Sequence, residues 1–263
     1  MTHPSDATFP PGSFTPRPGP GAPARMLAAQ AGTELRLALR NGEQVLVTLV
    51  IPVVLLVGLT LLDVVPLPEP RVAAVTPSVL ALAVLSTAFT SQAIMLGFDR
   101  RYGVIRRLAA TALPRWLLVA GRLVAVLGTV AVQMAVLGAL AAALGWRPPA
   151  AGVVWALPLV LLGCAAFGAL GLLLGGTLRA EVVLAVANAV WFVLLLAGGI
   201  VVPVDRLPGP LAAVAGFLPS GALAEALRAV LTTGTAPAAA PVLVLVAWTV
   251  AATAAAVRLV RLR

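Results

Sequence analysis

Residues 153–202 read VVWALPLVLLGCAAFGALGLLLGG, then TLRAE, then VVLAVANAVWFVLLLAGGIVV. Two unbroken apolar runs flank a short polar turn that carries Arg179 and Glu181. At about 1.5 Å of rise per residue, some 20 apolar residues cross the roughly 30 Å hydrocarbon core of a bilayer, and each run has that length. Neither alternates with the period of two that a half-buried strand would need. The stretch therefore reads as two membrane-spanning helices joined by a tight turn. The same grammar extends in both directions, giving six spans at about residues 45–62, 72–98, 116–146, 153–176, 182–202 and 242–257. Across all 263 residues, 61% are hydrophobic, 10% are charged and the mean hydropathy is +1.06, which excludes an ordinary soluble domain. The fold class expected is an all-α integral membrane protein.

All 18 basic residues are Arg, with no Lys in the chain. A phosphate-cradling P-loop needs a Lys to reach the terminal phosphates, so this chain does not hold ATP through that motif. The net charge of +9 would point to nucleic acid in a soluble protein. Here the Arg residues gather at the ends of apolar runs, where anionic lipid and topology explain them better, and no nucleic-acid partner is expected. With a cytoplasmic N-terminus, 14 of the 18 Arg fall on the inner side, leaving only Arg71, Arg147, Arg206 and Arg228 outside. Both termini are therefore expected in the cytoplasm.

The chemistry of catalysis is sparse. The single His is His3, near the N-terminus, and the single Cys is Cys164, inside an apolar run, so an intramolecular disulfide and a Cys-based metal cluster are excluded. No Asp or Glu lies deep in a span, which argues against proton-coupled or sodium-coupled transport. No hydrolase or metalloprotease motif is present, so an enzyme is not expected, nor a cofactor bound by this chain.

Residues 1–24 are rich in Pro, Gly, Ser and Thr and are expected to be a disordered cytoplasmic tail, lacking the apolar core of a signal peptide. From Arg25 to Arg40 the sequence RMLAAQAGTELRLALR sets Leu27, Ala28, Ala31, Leu35, Ala38 and Leu39 on one arc. Arg25, Thr33, Arg36 and Arg40 lie on the opposite arc, the pattern of an amphipathic helix at the membrane interface. Residues 203–241 are too apolar for a free loop and too broken by Pro208, Pro210, Pro219 and Gly221 to span. Two half-helices dipping in and out meet both constraints, the second starting at Ser220 as N-cap. Arg122, one to two turns into the third span, can reach back to the headgroups.

The polar residues within spans are neutral. Gln92, Gln133 and Asn188, with Ser86, Thr87, Thr90 and Ser91, either bond between helices or face a transport pathway. The Gly and Ala of residues 163–176 are a close-packing surface or a dimer seam. Between spans two and three lies DRRYGVIRRLAATALPR, residues 99–115, where Gly103 and Pro114 bracket a short helix over Val104–Leu113. Arg106 and Arg107 suit an anchor to lipid headgroups, but an electrostatic anchor has no use for Val104, Ile105 and Leu108. Those side chains favour docking on a protein.

The order of these parts resembles the permease subunits of type-2 ABC exporters over residues 25–263, and most of all the bacterial antibiotic-resistance permeases related to daunorubicin efflux. The resemblance rests on LRNGEQVLVTLVIPVVLL with Arg40 and Pro52, FDRRYGVIRRLAATALPRWLLVAGRL, and the turn at Leu178 to Glu181. GGIVVPVDRLPGPL, FLPSGALAEALRAVL and the Arg-rich C-terminal end complete it. It implies a bacterial plasma-membrane protein paired with a second, identical or related, permease chain. It also implies a separate ABC ATP-binding subunit that carries the ATP and Mg. Arg25, Leu35, Arg36 and Arg40 of the interfacial helix, and the segment Val104, Ile105, Arg106, Arg107 and Leu108, would dock on that subunit. The exported substrate would be drug-like, lipid-like or otherwise amphiphilic. The alternative is a membrane scaffold or immunity protein that moves nothing.

Overall fold

The computed structural model of the chain describes residues 22–42, 46–63, 67–109, 114–200 and 208–260. The Pro-rich tail up to residue 21 lies outside the described residues, as do residues 201–207, half of the GGIVVPVDRLPGPL stretch, and the last four residues of the helix expected over Val104–Leu113.

The described residues are helical throughout, with no strand among them. Helix α1 is Pro23–Arg40; α2 is Ile51–Leu61, entered through a π-helical turn at Leu46–Val50. Helix α3 is Arg71–Arg101, widened to a π-helix over Leu85–Ser91, and the short α4 is Val104–Ala109. Then follow α5 Arg115–Ala143, α6 Ala150–Thr177, α7 Ala180–Ala197, α8 Gly209–Phe217, α9 Pro219–Thr233 and α10 Ala239–Leu259. Five of these, α3, α5, α6, α7 and α10, are long and apolar enough to cross a membrane.

Helix α3 is the hub. In its most apolar window 83% of residues are buried, against 17% for α10, so the other helices wrap around it. Helix α6 packs along its C-terminal half and α2 and α9 along its N-terminal half, while α10 lies on the far side of α6. Close approach of α6 to α3 depends on two glycines. A Cβ at Gly171 would sit 2.8 Å from the Phe89 carbonyl oxygen, and one at Gly175 would sit 2.4 Å from that of Ala93. Small residues let helix backbones meet where no solvent drives association. Residues 163–176 thus spend their small side chains inside the chain: Gly163 meets Leu223 and Gly176 meets Val260 as well.

Three sequence expectations need adjustment. The first of the six runs is represented among the described residues by a shorter apolar helix, Thr48–Leu61. Its first turn lies at the level of the centre of α3, because Gln133 bridges the Thr48 carbonyl to Thr87. Its far end is fixed by Arg71, which donates to the Leu59 carbonyl at 3.2 Å and the Leu62 carbonyl at 2.6 Å and pairs with Asp63. These are the carbonyls a helix C-terminus leaves unsatisfied, and a cation there also meets the negative end of the helix dipole. The fifth run stops at Ala197, where Gly199 takes a left-handed φ of 71°.

The third adjustment concerns the re-entrant pair. Helices α8 and α9 meet at 91°, the broken geometry expected of residues 203–241. Ser220, however, is not the N-cap. Helix α9 begins at Pro219 with Leu218 in the cap position, since proline's fixed φ suits a first helical turn. Ser220 lies inside the helix, fully buried, at the place where a Cβ on Gly198 would collide with it. Gly234, with φ 74°, closes α9 by donating its N–H to the Val230 carbonyl.

Candidate functional site

The C-terminal end of α3 carries three consecutive charges, and each holds a different helix. Asp99 pairs with Arg122 of α5, and Arg101 pairs with Glu181 in the first turn of α7. Arg100 donates through one guanidinium nitrogen to the carbonyls of Gly175 and Leu178, at 3.0 and 3.2 Å, capping the end of α6. One segment of sequence thereby ties α3 to α5, α6 and α7. Arg122, expected to reach back toward the headgroups, is engaged by Asp99.

The Asp99–Arg122 pair is the half-buried member of this knot, with side chains 25% and 15% exposed. Removing one partner of a fully buried pair costs about 3–5 kcal/mol, and partial exposure reduces this to roughly 1–2 kcal/mol. Arg122→Gln is expected to lower the unfolding midpoint of the detergent-solubilised protein accordingly. The swap Asp99→Arg with Arg122→Asp should recover much of the loss in a double-mutant cycle, and no recovery would refute the pairing.

Immediately beyond the knot, Gly103 takes a left-handed φ of 68° and turns the chain into α4, whose Arg107 N–H bonds the Gly103 carbonyl. Val104, Ile105 and Leu108 are half-buried, and Arg107 is exposed. Only two residues of turn, Tyr102 and Gly103, separate the knot from α4. On α1, the expected arc is displaced by part of a turn. Ala31 is buried and Leu35 packs on Gly128 of α5, while Leu39 is 43% exposed. Helix α5 thus covers part of the apolar face that the sequence alone assigns to lipid. Arg25, Arg36 and Arg40 are all exposed.

The three polar candidates within spans separate. Gln133 is 2% exposed, accepts from the Thr87 hydroxyl at 2.9 Å and donates to the Thr48 carbonyl at 2.8 Å, joining α5, α3 and the turn before α2. Gln92 is buried beside Gly171, and its Oε1 has no protein partner. Asn188 is exposed on α7 and bonds back to the Leu184 carbonyl of its own helix. The contact sequence reasoning missed on α7 is that of Trp191, whose Nε1 donates to Ser86 Oγ at 3.0 Å. Ser86 and Thr87 both belong to the π-helical stretch of α3, which turns successive hydroxyls toward α7 and α5. Gln133→Leu is expected to cost about 1 kcal/mol, the usual worth of an inter-helix hydrogen bond in a membrane protein. Denaturation of the solubilised variant measures it, and no change would mean that the bridge is absent.

At the opposite end, Arg228 of α9 donates to Ser78 of α3 at 3.1 Å and to the Gly199 carbonyl at 3.4 Å. It fastens the bent pair to the hub.

Apolar helices of membrane-spanning length surround a buried central helix, with a bent helix pair at one end and a short charged helix at the other. The sequence model of the ABC-2 type transporter matches residues 29–232, well over half of the chain, and the chain belongs to that family. It is a permease component of an ABC transporter, a class that works in the membrane with an ATP-binding subunit. No curated protein matches the chain.

Proposed function

We propose that this chain is the permease subunit of an ATP-driven exporter in a bacterial plasma membrane, of the drug-resistance type, with both termini in the cytoplasm. Two permease chains, identical or related, stand over two separate ATP-binding subunits, and the substrate is a drug-like, lipid-like or other amphiphile. The Lys-free sequence supports this division of labour, because ATP needs a site elsewhere. The observation that carries the reading is the direct junction of α4 to the charged knot. In this mechanism the ATP-binding subunits grip α4 through Ile105 and Leu108, with the Arg pair on an acidic rim. Their closure tilts α3, and the knot makes α5, α6 and α7 follow, opening the seam between the two permeases outward.

ATP drives this only by favouring one of two conformations, since a contact equal in both shifts nothing. Affinity purification of the chain from its native membrane is expected to bring an ATP-binding subunit with it. Recovery without any nucleotide-binding partner would favour the scaffold or immunity reading instead.

A further inference from the structure

Two open clefts meet at the charged end of the bundle and share Arg100 and Thr177. The first, about 400 Å³, is lined by Arg100, Arg101, Arg179 and Glu181, an excess of two positive charges. Arg179 is exposed there, and Glu181 is the only carboxylate lining it among the described residues. The second cleft, about 580 Å³, has Leu173, Gly176 and Leu259 as its apolar wall. It runs between the ends of α6 and α10, where Val260 packs on Gly176. A cationic cleft opening into an apolar one, at the end of membrane-spanning helices, has the polarity of a single ligand with an anionic head and a hydrocarbon tail.

We infer that the double cleft binds one anionic phospholipid, its phosphate among Arg100, Arg101 and Arg179 and an acyl chain along Leu173 and Leu259. The inference rests on the helices being membrane spans and is independent of the substrate exported. A cluster of Arg at a membrane surface attracts anionic lipid at about 1 kcal/mol per charge, roughly a fivefold preference for each. The apolar wall separates a lipid from a free phosphate, which has nothing to place there. Arg100 also caps α6, so the lipid would bind against the same guanidinium that holds α3 to α6.

Native mass spectrometry of the full chain, equilibrated in detergent with equal amounts of phosphatidylglycerol and phosphatidylcholine, tests this. The unaltered chain is expected to retain phosphatidylglycerol at least about fivefold over phosphatidylcholine. Arg179→Gln and Leu259→Asn, both at exposed positions that the fold does not need, should each lower that retention several-fold. Arg147→Gln, at the other end of the bundle, should leave it unchanged. Equal retention of the two lipids, or indifference to Arg179→Gln, overturns the site. Glycerol phosphate in tenfold excess should leave the lipid in place, and complete displacement would reduce the site to a phosphate cleft and overturn the lipid assignment. No nucleotide or ATP-binding subunit enters the measurement, so its failure would leave the proposed function standing.

Discussion

Gly175→Val is expected to lower the unfolding midpoint of the solubilised protein by roughly 6–12 °C, from an overpacking cost of about 3 kcal/mol or more. The cost arises because a Cβ at this position would sit 2.4 Å from the Ala93 carbonyl oxygen and 3.0 Å from Leu96 Cβ. The first of these is backbone of the hub helix and cannot turn away as a flexible side chain would. Helix α6 would have to leave α3, losing the contact at Gly171 with it and pulling on the Arg100 guanidinium, which donates to the Gly175 carbonyl itself. Gly138→Ala is the matched control. Nothing lies within 4 Å of a Cβ there, so the substitution should be neutral or raise stability slightly through helix propensity. Equal melting of both variants would show that α3 and α6 do not approach as described.

Ile105→Asp combined with Arg106→Glu and Arg107→Glu is expected to leave membrane insertion and folding intact while abolishing coupling to the ATP-binding subunit. All three positions lie on α4, beyond the knot. Burying a carboxylate where Ile105 would dock, and reversing two charges against an acidic rim, costs several kcal/mol of interface energy, or more than about a hundredfold in affinity. The measurement is the change that the permease produces in its partner's ATP hydrolysis in reconstituted vesicles. That change should vanish in the triple variant and persist in Arg147→Glu. An undiminished effect in the triple variant would remove α4 from the coupling route.

Much of the architecture could be read from residues 153–202 and their like, because apolar length and a polar turn are local properties. The break between α8 and α9 was legible for the same reason: Pro208, Pro210 and Pro219 punctuate an apolar stretch. The knot was not legible. Asp99 is 23 positions from Arg122, and Arg101 is 80 from Glu181, so their pairing exists only once three helices assemble. Read singly, those Arg residues look like topological markers. The alternation of Asp99 with two Arg at the end of one span, and of Arg179 with Glu181 at the start of another, was the signal available. Gln133 and Asn188 make the complementary point. Both are lone amides in apolar helices, yet the rotation of each helix against its neighbours turns one into a three-way bridge and the other outward. The π-helical stretch Leu85–Ser91 has no local mark either, since its apolar and hydroxyl residues suit an ordinary helix equally well.

On the proposed function, this chain is moved by a separate subunit that binds and hydrolyses ATP. Inverted membrane vesicles carrying the chain with its ATP-binding partner, supplied with ATP and a panel of amphiphilic dyes, test it most directly. Dye should accumulate with the intact partner and not with one whose P-loop lysine has been replaced. Undiminished accumulation with the disabled partner, or with the permease alone, would contradict the account.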